Sequence, residues 1–335
     1  MNKKVLRHIV RYLLKGVLLL FAVSIVAFTL MKLSPIDPVQ AYIGADATVS
    51  PEQRAKIAER WGVGEPPVRQ YLKWLGSMCR LDFGTSVIFR LPVLTVVAER
   101  AAASLALMGV SWVFAGILGF LLGVLAGAYH GRWPDKLVKA YCLTLSSTPV
   151  FWLALLLMII FAVHWRILPL GLAIPMGKLE SEVTLMERIR HLILPALTLS
   201  LTGVSSIALH TRQKLTEALE SDYVLYAVAR GEKMRAVIWR HGLRNIALPA
   251  LTLQFTAFAE LFGGSVLAEQ VFAYPGLGRT AVRAGIQSDM PLLLGITLFS
   301  AIFVFAGNCI ADILYQLLNP RIRRAGSGTG QEIGL

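Results

Sequence analysis

The chain has 335 residues, of which 56% are hydrophobic and 16% charged, and its 33 Lys+Arg against 20 Asp+Glu give a formal net charge of +13. A soluble domain carries roughly a quarter charged residues and roughly 45–50% apolar ones, so the composition excludes disorder and argues against a water-soluble enzyme. The positive excess has two readings, nucleic-acid binding or the cytoplasm-facing loops of a membrane protein.

In chain order, the basic start Lys3, Lys4, Arg7, Arg11 and Lys15 leads into an uncharged run from Gly16 to Met31. Further uncharged runs lie between Arg100 and Arg132, between Lys139 and Arg166, and between Arg190 and Arg212. Glu260 alone interrupts the stretch from Arg244 to Glu269, and Asp312 alone that from Asp289 to Arg321. Each run reaches or approaches the roughly 20 residues needed to cross the hydrocarbon of a bilayer. Six transmembrane helices are expected, near 12–32, 103–128, 140–163, 192–211, 245–268 and 291–318. Six buried core helices without a polar face would be the alternative, and a soluble fold does not offer them. The first span has a signal peptide's basic start, but Met31-Lys32-Leu33-Ser34-Pro35 offers no small-residue cleavage site, so an uncleaved helix is expected.

Placing both termini inside gives cytoplasmic pieces 1–15, 129–139, 212–244 and 319–335, with 18 Lys+Arg against 6 acidic residues. The outer pieces 33–100, 164–191 and 269–290 carry 14 against 12. The inside is about twice as basic per residue, as the positive-inside rule requires, and nucleic-acid binding loses its main support.

The outer segment 33–100 reads as helical. Ser50-Pro51-Glu52-Gln53 is a helix start, with a Ser cap and Pro at the first helical position. A second helix is expected over Pro67 to Leu75, with Val68, Tyr71, Leu72 and Leu75 on one face and Gly76 after it, and with Trp61 and Trp74 at interfacial depth. The segment either docks a partner outside or packs on the bundle.

Residues 212–244 are the informative loop. A helical stretch to Ala229 meets Arg230-Gly231-Glu232, where Gly231 ends the helix with positive φ. The following stretch presents Met234, Val237, Ile238 and Trp239 among Lys233, Arg235 and Arg240. Such a hairpin suits the groove of a partner protein or the surface of anionic lipid. A carboxylate at membrane depth marks a site or a pair. Glu260 is thus a candidate on the translocation pathway, with Asn308 or a backbone group as its structural alternative, and Asp312 is expected to pair with Arg321 or Arg323. Cys79, Cys142 and Cys309 show no disulfide framework, and the six His are scattered, so no metal site is expected. There is no phosphate-binding loop and no nucleophile motif, so any ATP hydrolysis must come from another subunit.

Several segments in order resemble the membrane-spanning permease subunits of ATP-binding-cassette importers, in the dipeptide/oligopeptide/nickel branch. They are Ser34-Pro35-Ile36-Asp37-Pro38 (Ile36 standing where the family has Gly), Val68 to Leu75, Leu81-Asp82-Phe83-Gly84-Thr85-Ser86 and Pro149 to Leu153. Asp222 to Gly231 with His241-Gly242-Leu243-Arg244-Asn245 and Leu248-Pro249 is similar to the branch's coupling loop, with Leu225-Tyr226-Ala227 where the general motif begins Glu-Ala-Ala. Gly263-Gly264-Ser265, Glu269 to Arg279 and Asn319 to Arg323 complete the likeness.

The resemblance implies a bacterial inner-membrane importer. Its parts are this permease, a second homologous permease, two cytosolic ATP-binding subunits that hold ATP and Mg, and an extracytoplasmic substrate-binding protein. Tyr223, Ala227, Arg230, Gly231, Met234, Val237 and Ile238 would then couple to an ATPase. The expected fold is an all-α integral membrane protein with both termini cytoplasmic. Its parts are residues 1–32 (N-terminus and first helix), 33–100 (outer segment), 101–318 (permease domain with coupling loop 212–244) and 319–335 (tail). Glu260-Leu261 before Gly263-Gly264 slightly favours nickel or a metal chelate over a di- or oligopeptide as substrate. The alternative function, a gradient-driven carrier or channel, lacks visible inverted halves and intramembrane charge.

Overall fold

The computed structural model describes residues 3–33, 50–52, 65–175, 177–178 and 182–318. In chain order its helices are α1 (Lys3–Leu33), α2 (Pro67–Cys79), α3 (Val93–Ala128), α4 (Trp133–Ser146), α5 (Val150–Met158), α6 (Leu185–Leu219), α7 (Asp222–Ala229), α8 (Met234–Val237), α9 (Leu243–Val271), α10 (Leu277–Ile286) and α11 (Met290–Leu318). π-Helical turns Ile159–His164 and Ile238–Gly242 follow α5 and α8. Among the described residues the only strand-like pairing is an isolated bridge between Thr85 and Pro92.

Four helices are long and apolar enough to cross a membrane alone: α1 over Leu14–Leu33, α3, α6, and α11 over Met290–Ile313. Two bent pairs bring the number to six if each is one span, Trp133–Ser146 with Val150–His164 at 105° and Met234–Phe258 with Glu260–Val271 at 54°. The third span therefore departs from the single run expected over 140–163. Pro149 has no N–H to donate and disfavours helical backbone at Thr148. It sits in extended geometry, φ −61° and ψ 138°, and the chain turns there before α5 begins. α6 begins at Leu185 rather than near 192, because Thr184 and Glu187 form a reciprocal capping box. Thr184-x-x-Glu187 was legible in the sequence as that signal.

The chain divides into two compact units, Met1–Leu105 with Pro275–Ala306 and Ala106–Tyr274 with Gly307–Leu335. In the first unit, Phe28 and Met31 of α1 pack with Tyr71 and Trp74 of α2 and with Met290 and Leu294 of α11. The Tyr71 hydroxyl and the buried Ser24 hydroxyl are 2.7 Å apart, and the Phe28 and Tyr71 rings meet edge to face at 5.4 Å. This face of α2 differs from the expected one. Val68 and Leu72 are exposed, while Gln70 is buried and Tyr71, Trp74 and Leu75 are half-buried. Two aromatic rings cover more area than two aliphatic side chains, and Tyr71 also finds a hydroxyl partner, so the helix turns them inward. α2 also runs past Gly76 to Cys79. The expected helix from Ser50 is described only at residues 51 and 52, and Trp61 lies outside the described residues.

In the second unit, α3 and α6 meet along glycines. A Cβ on Gly123 would stand 2.6 Å from the backbone oxygen of Ala208 and 2.6 Å from Thr211 Cβ. At Gly119 and Gly127 the nearest atoms, Ile207 Cβ and Leu215 Cβ, would be 2.8 and 2.9 Å away. Small residues let two helix backbones close to a distance that larger ones forbid. Ala115, Ala126, Val138, Cys142, Val204, Ile207 and Ala208 fill the layer between α3, α4 and α6. Asp135, fully buried in the first turn of α4, accepts hydrogen bonds from Arg212 Nη2 and from the Gly131 N–H, each 2.9 Å long, and from Arg212 Nε. A second cluster joins Leu153, Ala154 and Leu157 of α5 to Leu194 and to Phe272.

Candidate functional site

Residues 222–242 form a compact hairpin. α7 is capped by Arg230, and Gly231 follows with φ +87°. The Gly231 N–H donates to Val228 O at 2.9 Å and the Glu232 N–H to Ala227 O at 3.2 Å. These two bonds satisfy carbonyls that the helix end would leave open, the arrangement a left-handed residue permits. The sequence-level expectation of a glycine turn at 231 is met in this geometry, and Gly231 has nothing within 4 Å of an added Cβ. Its requirement is therefore conformational and not steric.

The hairpin has a core of its own. Val224 and Ala227 of α7 pack against Val237 of α8, with Leu219 beside them. Val237 is 0% exposed and Ala227 nearly buried. Both were expected in the contact surface for a partner, and both are instead inside the hairpin. With only two short helices to form a core, the hairpin must spend its small apolar residues on itself. The side chains left outside are larger: Leu225 is 73%, Tyr226 67% and Trp239 76% exposed, with Met234 about half exposed. The buried pair Val224 and Ala227 fixes the inner side of α7, and at 100° per residue Leu225 and Tyr226 fall on the opposite side. Among the other expected residues, Arg230 and Gly231 are exposed and Ile238 is half-buried. Tyr223 is held locally, its hydroxyl accepting from Asn245 Nδ2 at 2.8 Å and its ring 6.3 Å from that of His241. His241 Nε2 in turn lies 3.7 Å from a Glu232 carboxylate oxygen. The hairpin is seated on α6 at Gly242, where a Cβ would come within 2.9 Å of Leu215 Cδ1.

Farther along α9, Trp112 of α3 grips the segment before the bend. Trp112 Nε1 donates to Gln254 O at 2.6 Å, Gln254 Nε2 donates to Trp112 O, and the indole lies 4.9 Å from the Phe255 ring and 5.9 Å from the Phe258 ring. Glu260 stands immediately after, exposed, and forms no hydrogen bond or ion pair among the described residues, Asn308 included. Asp312 is exposed, and its expected partners Arg321 and Arg323 lie outside the described residues. A carboxylate that sequence reasoning passed over is Glu269, which is fully buried. Burial, reinforced by Glu269, raises the pKa of the neighbouring Tyr274 hydroxyl above its ordinary value. Among the described residues no group of three or more His, Cys, Asp or Glu is placed to hold a metal ion.

The chain is similar to known membrane components of transport systems. Residues 119–324 match the model of the binding-protein-dependent transport system inner membrane component, and residues 5–107 match the model of the N-terminal part of such membrane components. The oligopeptide transport system permease protein AppB of Bacillus subtilis is 35% identical over 94% of this chain and 98% of its own length. A putative peptide transport system permease of Brucella abortus is 34% identical over 94% and 98%. The glutathione transport system permease protein GsiC of Salmonella paratyphi A is 33% identical over 95% and 99%. In fold, the chain is similar to an inward-facing structure of the MetNI methionine ABC transporter, with a TM-score of 0.53 at 15% identity over 68% of this chain and 97% of that one. These relatives are named for peptides and glutathione, so the preference for nickel drawn from Glu260 finds no support in them.

Proposed function

This chain belongs to the family of binding-protein-dependent transport system inner membrane components, a multi-pass membrane protein of the inner membrane, and from that premise we propose that it is one of two permease subunits of an ATP-driven peptide importer. The substrate class rests on the relatives, whose names specify oligopeptide, peptide and glutathione transport. The partners are a second permease, two cytosolic ATP-binding subunits that bind and hydrolyse ATP with Mg, and an extracytoplasmic substrate-binding protein. Both termini and the hairpin 222–242 face the cytoplasm, in keeping with the distribution of Lys and Arg.

The observation that carries the reading is the hairpin itself, which packs on its own small core and leaves Leu225, Tyr226, Met234 and Trp239 exposed. Apolar side chains on so small a cytoplasmic element fit a partner's groove, in the manner of a helix laid into a hydrophobic cleft. Closure of the ATPases would move the hairpin, and through Gly242 and Leu215 the motion would pass to α6. Arg230 adds a charged contact at the tip, and Tyr223 holds the hairpin to α9 through Asn245. Glu260, exposed and without a hydrogen-bond or ion-pair partner among the described residues, would face the pathway or the second permease, since lipid is a poor environment for a carboxylate.

The test is Gly231→Val. No neighbour obstructs the side chain, so the substitution acts through backbone strain at positive φ, of order 1–3 kcal/mol. Membrane insertion is expected to persist, while ATP hydrolysis in the reconstituted complex continues without uptake. Unchanged uptake would overturn the lever, and purification of the chain without ATPase subunits would favour an autonomous carrier.

A further inference from the structure

The first unit contains a second constellation, built around Phe89. Gly84 to Val93 is a tight loop: Ser86 N–H donates to Leu91 O at 2.9 Å, Val93 N–H to Gly84 O at 3.0 Å, and Arg90 takes φ +53°. The buried Asp289 carboxylate anchors it. Asp289 Oδ2 accepts from the Ser86 hydroxyl at 2.6 Å and from the Ile88 N–H at 3.0 Å, while Oδ1 accepts from the Leu292 N–H at 3.2 Å in the first turn of α11. The Ser86 hydroxyl oxygen then accepts the Phe89 N–H at 3.1 Å. The position of Phe89 is thus set by a relay of buried and part-buried hydrogen bonds.

Two cations lie over that ring. The Arg100 guanidinium carbon is 5.3 Å and that of Arg283 is 5.5 Å from the Phe89 centroid. Arg100 is about two turns into α3, and Arg283 is on α10. α10 is tied to α3 one turn beyond Arg100, where the Leu277 N–H donates to the buried Ser104 hydroxyl at 2.8 Å. Neither arginine has a carboxylate partner among the described residues; Arg283 Nε has only Gln287 Oε1 at 3.4 Å, and Arg100 Nε is shut off from water with no acceptor. A half-buried arginine without a counter-ion is costly unless an anion completes it. A ring face attracts a cation but supplies no opposite charge.

We propose that Phe89, Arg100 and Arg283 form a carboxylate-binding site that takes the free C-terminal carboxylate of a peptide; the proposal rests on the peptide-import reading above. The planar guanidinium fork matches a carboxylate in two-point contact. Arg100 is half-buried, which suits a small ligand better than the broad acidic surface of a protein. In the proposed topology Phe89, Arg283 and the start of α3 all belong to the outer pieces, where an incoming peptide first meets the permease.

The test compares trialanine with trialanine amide, each saturating the binding protein, in liposomes holding the complete importer. Wild-type uptake is expected to favour the free acid, and Arg100→Gln or Arg283→Gln to reduce that acid-to-amide preference about tenfold, as loss of a charged hydrogen bond implies. Arg100→Lys, which keeps the charge but not the fork, is expected to restore part of it. Arg283 is exposed, so its replacement does not endanger folding. Equal uptake of acid and amide by wild type, or a preference unchanged in the variants, would overturn the site. Loss of the ATP hydrolysis that peptide-free binding protein stimulates would also overturn it, by assigning the arginines to protein docking. A wild-type importer that takes up neither peptide overturns the peptide reading, and the site with it, before any variant is compared.

Discussion

The contact of α3 with α6 and the hairpin 222–242 are both helix-on-helix packings in the same unit, yet they are built on opposite terms. The first is closed by its own residues: glycines bring the backbones together and the small side chains between them are buried, while beside it the buried Asp135 of α4 is hydrogen-bonded to Arg212 of α6. The second closes only a small core around Val224, Ala227 and Val237 and leaves its largest apolar side chains outside. A contact complete in itself transmits displacement as a rigid body, because a close-packed interior has few voids to absorb it. A contact incomplete in itself waits for a second surface.

The comparison can be broken most strongly at its charged end. Asp135→Ala leaves Arg212 without its buried partner and is expected to cost about 3–5 kcal/mol, read as a large fall in melting temperature of the detergent-solubilised complex. Gly123→Leu drives a side chain into the backbone of α6 and is expected to cost about 1–3 kcal/mol or more, seen as loss of monodisperse protein on size exclusion. Within the hairpin, Val237→Ala removes two buried methyl groups, about 1.6 kcal/mol at 0.8 kcal/mol per carbon. Its expected result is faster proteolysis of the 222–242 segment with the melting temperature of the bundle little changed. Trp239→Ser removes only an exposed side chain and should alter stability by less than about 0.5 kcal/mol, yet it should lower the yield of copurifying ATPase. If Val237→Ala is the more destabilising of the two and Trp239→Ser the more damaging to ATPase binding, the division between an inner and an outer side of the hairpin stands; the reverse order would dissolve it. The smallest effect belongs to Lys73→Ala. Lys73 holds the Glu65 carboxyl below its ordinary pKa by a hydrogen bond. The pair therefore helps only above the carboxylate range and fades as the pH falls through it. At a surface site its removal should leave the melting curve unmoved.

Legibility followed the strength of the local physics. Uncharged runs at Gly16 to Met31 or Arg190 to Arg212 announce helices because a bilayer leaves no other way to satisfy the backbone. Gly231 was legible for a similar reason, since a positive φ after a helix is a local demand that few residues meet. The rotation of α2 was not legible. Val68, Leu72, Tyr71 and Leu75 are all apolar, and when lipid and protein core are both apolar, periodicity loses its power to say which face is inside. Val237 was misassigned to the partner's surface for the same reason, as its place depends on the return of the chain against Val224. Pro149 was in view as a residue, but its 105° consequence required knowing that α4 packs along α6 through Asp135 and Arg212.

The sequence by itself determined the membrane class, the six apolar segments, the bias of positive charge and the glycine turn, because each depends on residue type and short-range spacing alone. Tertiary structure decided which apolar side chains the hairpin keeps and which it offers, that Glu260 stands without a partner among the described residues, and that Arg100 and Arg283 both stack on the Phe89 ring. Those outcomes depend on the distance between residues up to 194 positions apart in the chain, such as Phe89 and Arg283. Burial and charge pairing act through space, and no local pattern encodes the distances on which they depend.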